Sequence, residues 1–149
     1  MCGLTLGTLA FSWRLLKYLC CTCRHQPSRL TSEQLGQQAE LLAARFFMRR
    51  GYSVLGQRES LESAELDLIL VDHLHGDAEL IVVEVKASRY ASGLPHRRFT
   101  SRKQERVWLA ATEFVRLHQL EKSKCRLELL TVVWGERGLV PTVRRFRFR

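Results

Sequence analysis

Two runs of β-forming apolar residues, 66–71 and 80–86, are joined by the polar connector Asp72-His73-Leu74-His75-Gly76-Asp77. A link this short predicts an antiparallel hairpin, since parallel neighbours need a crossover of about a dozen residues or more. Neither run is wholly apolar. Asp67 interrupts the first, within Glu65-Leu66-Asp67-Leu68-Ile69, and the second reads Ile81-Val82-Val83-Glu84-Val85-Lys86. Strand side chains alternate between faces, so Glu84 and Lys86 share one face and Val85 takes the other. Pairing of the two strands brings Asp67 toward Glu84 on that shared face.

The flanking sequence predicts the rest of an α/β fold. Thr31-Ser32-Glu33-Gln34 has the capping-box pattern, and Leu35, Ala39, Leu42, Ala43, Phe46 and Phe47 follow at helical spacing before Gly51. Residues 52–55 read as a short strand and 88–100 as a polar loop. Ser101 then caps a second helix to about His118, with Val107, Trp108, Ala111, Phe114 and Val115 inward. Residues 126–134 and 140–148 are closing strands, split by Gly135 and Gly138. The order is helix, three strands, helix, two strands, a mixed β-sheet flanked by helices. A chain of 149 residues with 46% hydrophobic content fits one such domain, residues 31–149, plus an extension, residues 1–30.

That extension differs from the rest. Four of the five cysteines lie in it, Cys2, Cys20, Cys21 and Cys23, and only Cys125 lies in the domain. A core with one thiol is no disulfide scaffold and fits a reducing, cytoplasmic setting. The apolar-leaning run 1–13 is too short to span a bilayer. A dispensable extension is favoured over membrane contact through residues 1–23 as a surface helix with palmitoylated cysteines. Zinc held by Cys20, Cys23 and His25 has only half a site.

Charge is unevenly distributed. The net charge of +9 resolves into +4 over residues 1–30, −4 over 31–95 and +9 over 96–149. Carboxylates in the middle and cations after them suit a site for a polyanion, nucleic acid being the common one, against the plainer reading of a basic, solubilising surface. Arg97, Arg98, Arg102, Lys103 and Arg106 cluster around the loop and second helix and are assigned to phosphate contact. The polar groups of the 72–77 connector are read as turn solvation rather than a second metal cluster. Trp108 is read as core rather than a base-stacking platform. In Arg144-Arg145-Phe146-Arg147-Phe148-Arg149 the aromatics pack inward and the arginines face water or phosphate.

Two carboxylates brought together in a partly buried place resist ionisation unless a cation lies between them. A hard dication is the natural resident, since Mg²⁺ takes one or two carboxylates and completes its shell with water and phosphate. Lys86 adds a positive charge for a phosphate oxygen or for orienting the attacking water. Together these make a phosphodiester-cleaving centre. Plain strand carboxylates facing water at a sheet end are the rival reading.

Asp67, followed at strand-turn-strand spacing by Glu84-Val85-Lys86, resembles the PD-(D/E)xK motif of restriction-endonuclease-like folds. More narrowly, residues 31–148 resemble the YraN family of small bacterial proteins. The likeness rests on Gly36-x-x-Ala39-Glu40, Gly51-Tyr52, Glu65-Leu66-Asp67-Leu68-Ile69, Val83-Glu84-Val85-Lys86, Lys103-Gln104 and Arg126-x-Glu128. Three departures stand out. Ala64 replaces the usual Gly, Leu127-Glu128 replaces Phe-Asp, and residues 1–30 have no counterpart.

The resemblance implies a Mg²⁺- or Mn²⁺-dependent nuclease acting on DNA, branched or single-stranded structures included. Its metal ligands would be Asp67, Glu84 and the Val85 backbone carbonyl. Lys86 would serve water or phosphate, and Glu40 would be an outer catalytic carboxylate, though by itself it reads as a solvent-facing helix residue. Lys103 and Gln104 would sit at the mouth as nucleic-acid contacts. The resemblance also raises a homodimer, since many nucleases of this fold pair to act on both strands. The competing expectation is a non-catalytic nucleic-acid-binding module on the same fold.

Overall fold

The computed structural model describes residues 30–74, 78–90, 92, 95–134 and 141–148. The expectations for residues 1–29, for His75, Gly76 and Asp77, and for Gly135 and Gly138 lie outside them. The elements run α1 (Ser32–Met48), β1 (Ser53–Ser60), β2 (Glu65–Asp72), β3 (Glu79–Ser88), α2 (Ser101–Leu117), β4 (Lys124–Val133) and β5 (Thr142–Phe148), with a 3₁₀ turn at Pro95–Arg98. This is the predicted order. The strands form one sheet, β1-β2-β3-β4-β5, antiparallel except for the parallel β3–β4 pair. The crossover that the parallel pair requires is the segment containing α2. Among the described residues no helix is long and apolar enough to cross a membrane.

Local chemistry sets the helix ends. Thr31 Oγ1 accepts from the Gln34 N–H at 3.2 Å while the Gln34 side chain accepts from the Thr31 N–H at 2.9 Å, the reciprocal capping box. Gly51, at φ +85°, lets the chain leave α1 in the left-handed region. On α2 the cap is Thr100, one residue before the predicted Ser101, and its hydroxyl accepts from the Lys103 N–H.

Two apolar clusters, one on each face, fix the layers. On the α1 face Leu35, Ala39, Ala43, Ala44 and Phe47 pack on Leu68, Leu70, Ile81, Val83, Val85, Leu130 and Val132. On the α2 face Val107, Ala110, Ala111 and Phe114 pack on Leu66, Ile69, Leu80, Val82, Leu127 and Leu129. Trp108 is not among them. It is 46% exposed, and Ala110 takes the inward place instead. The helical stripe from Val107 through Ala110 and Ala111 to Phe114 turns position 108 outward.

β1 is longer than residues 52–55 because its outer half pairs with β2 despite its polarity. The register slips between Val54 and Gly56, which extrudes Leu55 to 44% exposure.

On the α1 face, the side of the sheet away from Glu84 and Lys86, lies a charge network centred on Glu128, which is paired in register with Val83. Glu128, fully buried, accepts from Arg126 Nε at 2.8 Å and from Arg145 Nη2 at 2.7 Å. Arg126 also donates to Asp72 at 2.9 Å and to Glu79. Asp72 is therefore buried structure rather than turn solvation. Arg145, expected to face water or phosphate, instead reaches Tyr52 Oη at 3.1 Å and lies over the Phe47 ring. Phe146 and Phe148 do pack inward.

A candidate metal and phosphate site

The site begins where β2 leaves β3. Regular pairing stops at Leu68–Val83, and beyond it the Val85 N–H donates to the Asp67 carboxylate, Oδ2, at 2.7 Å. The carboxylate occupies the place a strand carbonyl would take. Leu66 and Leu68, two residues apart, consequently pack in opposite cores, so alternation breaks at Asp67. Asp67 and Glu84 are thereby brought together as expected.

β3 remains regular, with Val83 and Val85 in the α1-side core and Glu84 and Lys86 on the other face. Glu84 is 2% exposed. Its Oε1 receives Lys86 Nζ at 2.5 Å and Lys103 Nζ, from the first turn of α2, at 3.5 Å. Its Oε2 is buried and has no hydrogen-bond partner among the described residues. A buried carboxylate oxygen without a donor is costly, and a cation would satisfy it.

Asp67 responds to the same crowding. Its pKa is raised from 3.8 to about 7, first by burial and then by the negative charge of Glu84, while the Val85 N–H pulls the other way. Glu40, on α1, is also raised, chiefly by burial, with Arg58 opposing and Glu65 and Glu84 adding to the rise. Its charge acts on Asp67 and Glu84, and its side chain is only partly exposed.

Among the described residues no three His, Cys, Asp or Glu side chains stand close enough together to hold a metal ion. The arrangement is a carboxylate pair with a lysine on it, not a closed cage. A pair suits an ion that keeps water and takes one or two carboxylates. The free Oε2 and the proton-retaining Asp67 are both features a dication would relieve.

The predicted phosphate contacts divide. Arg97, Arg98 and Arg102 are exposed around the start of α2. Lys103 turns into the site instead. Gln104 gives its amide N–H to the Phe99 carbonyl at 3.0 Å, and Arg106 reaches the Ser63 carbonyl at 3.3 Å. Sequence reasoning missed Arg58, whose Nε lies 3.9 Å from Glu40 and 3.6 Å from Glu65. Position 58 carried no motif. The one available signal was a basic residue about ten positions before Asp67, which is too common to single out.

A model of the uncharacterised protein family UPF0102 matches residues 39–132, from within α1 into β4. The chain is a member of the UPF0102 family. That agrees with its YraN-like motifs, and the matched stretch holds Glu40, Asp67, Glu84, Lys86 and Lys103. It is 31% identical to a UPF0102 protein of Pelotomaculum thermopropionicum over 75% of this chain and 91% of that one. With one from Rhodopirellula baltica it shares 36% identity over 73% of this chain and 65% of the other. One from Pseudomonas paraeruginosa is 33% identical over 70% of this chain and 82% of its own length. UPF0102 membership establishes kinship without naming a reaction.

Proposed function

We propose that this UPF0102 protein is a divalent-metal-dependent nuclease of the restriction-endonuclease-like type that hydrolyses phosphodiester bonds in DNA, branched or single-stranded structures included. The observation that carries the reading is the convergence of Asp67 and Glu84 at the β2–β3 split, with Lys86 on Glu84 and Glu84 Oε2 without a donor among the described residues. Asp67, Glu84 and the Val85 carbonyl would hold Mg²⁺ or Mn²⁺. When bound, the ion would supply charge stabilisation at the phosphate and a more acidic water.

The chain's own residues do the rest. Asp67 is oriented by the Val85 N–H, which fixes one oxygen and leaves the other for ligation. Lys86, now paired with Glu84, is placed to meet a non-bridging phosphate oxygen as negative charge grows there. Glu40 lies behind the pair as an outer carboxylate. Lys103, Arg97, Arg98 and Arg102 supply the approach for a polyanion, with Gln104 and Arg106 at the helix start beside them.

The test is incubation with linear and branched DNA in Mn²⁺ or in chelator, beside Asp67→Asn and Lys86→Met. Metal-dependent cleavage that both variants lose supports the enzyme. The absence of three clustered metal-ligating side chains among the described residues favours a second reading, a non-catalytic nucleic-acid-binding module. Salt-sensitive binding without cleavage in any metal selects it.

A further inference from the structure

Arg58 is a backbone anomaly at the edge of this site. Its φ is +50°, the left-handed region, which L-residues other than Asn and Asp rarely adopt in a strand. The β1–β2 register pairs Gln57 with Leu68 and Glu59 with Leu66, so Arg58 lies directly opposite Asp67. The two strands are thus irregular at the same level. β2 leaves its regular pairing with β3 where Asp67 accepts from Val85, and β1 turns left-handed at Arg58.

Its ion pairs do not account for this. Arg58 Nε stands 3.9 Å from Glu40 and 3.6 Å from Glu65, distances of charge attraction without a hydrogen bond, and the side chain is half exposed. Such pairs contribute little to stability. Their effect is positional, since two carboxylates on the Nε side hold the head in place. Among the described residues the terminal Nη1 and Nη2 make no hydrogen bond, so the planar fork remains available. That fork matches a phosphate with two parallel N–H donors, which an ammonium group cannot do. Backbone strain held at a site mouth is commonly part of how the site works.

We propose that Arg58 is a phosphate-binding residue of this site, gripping a backbone phosphate of the nucleic acid next to the one facing Asp67 and Glu84. The proposal rests on the nucleic-acid reading above and adds a contact to it. It also separates two roles of one position. The left-handed backbone costs the fold, and the guanidinium serves the ligand.

The experiment measures binding of a fluorescein-labelled DNA duplex and a labelled four-way junction in Ca²⁺ across a salt series, beside thermal melts, for wild type, Arg58→Gly, Arg58→Ala and Arg58→Lys. Arg58→Gly should melt at or above wild type, because glycine adopts φ +50° freely, yet bind about tenfold more weakly with a salt slope shallower by about one. Arg58→Ala should lose the same affinity without the gain in melting temperature. Arg58→Lys should recover part of the affinity, since the charge stays and the fork is lost. Affinity within twofold of wild type in both Arg58→Gly and Arg58→Ala overturns the role of Arg58 alone. If wild type binds neither DNA, the nucleic-acid reading fails and the proposal with it.

Discussion

The Val85 N–H and the Asp67 carboxylate meet at 2.7 Å, a side chain standing in for a strand carbonyl at the edge of the β2–β3 pair. This bond favours the ionised carboxylate, yet burial and Glu84 outweigh it and carry Asp67 from 3.8 to about 7. The folded protein therefore holds a proton on Asp67 that the unfolded chain has already lost. A state that binds more protons is favoured at low pH, so this group's contribution to stability falls as pH rises from about 4 to about 7. Urea denaturation of wild type and Asp67→Asn across that window should show the wild type losing stability relative to the variant. Parallel curves would exclude Asp67 as the titrating group. Mg²⁺ competes with the same proton, so its affinity for wild type should rise through pH 7.

Lys86 and Glu84 form the second relationship that a variant can test. Glu84 is buried, and among the described residues removing Lys86 leaves its carboxylate with Lys103 alone, at 3.5 Å. Breaking one side of a buried pair strands the other charge, so Lys86→Met should destabilise by about 1–3 kcal/mol. Adding Glu84→Gln removes the stranded charge, and the double variant should regain most of the loss. Chemical denaturation of the four proteins gives the coupling. Additive effects would mean that the two groups do not depend on one another.

The hairpin, both helices and the α/β layer order were legible because periodicity reports which face is buried, and the alternation in Glu84-Val85-Lys86 put Glu84 and Lys86 on one face, as the structure has them. Asp67 was legible as a misplaced charge, but its route into the site was not. Alternation assumes an unbroken ladder, and here the side chain itself breaks the ladder, sending Leu66 and Leu68 to opposite cores. Arg58 was invisible for a related reason, since a left-handed arginine leaves no compositional trace. Asp72 and Arg145 looked like surface charges because their partners, Arg126 and Glu128, come from strands distant in sequence.

Trp108 gives a direct check on the α2 register. With Trp108 46% exposed and Phe114 at 5% within the core, the two aromatics should behave oppositely. Trp108→Ser should change stability by less than about 0.5 kcal/mol, as at ordinary surface positions. Phe114→Ala should cost about 3–5 kcal/mol through lost contact and the cavity left beneath α2. Thermal or urea denaturation separates the outcomes, and equal losses would place the helix in the wrong rotation about its axis.

Glu128 is the pivot of the α1-face network, because Arg126 and Arg145 both donate to it while it has no exposure of its own. Although burial opposes their charge, hydrogen bonding to Glu128 helps raise the pKa of Arg126, and the same bond is the largest cause of the rise at Arg145. Neither guanidinium can shed its proton to escape the loss of its partner. Glu128→Ala should therefore destabilise by about 3–5 kcal/mol, with Glu128→Gln costing less because its amide oxygen still accepts one bond. Added salt should leave the difference almost unchanged, since buried pairs are screened weakly. Glu128 is paired in register with Val83, and its network lies on the α1 face, across the sheet from Glu84 and Lys86. Glu128→Gln should thus retain Mg²⁺ affinity at temperatures where it stays folded, which calorimetry on the intact variant would show. Loss of metal binding in that folded variant would mean that the two faces of the sheet are coupled.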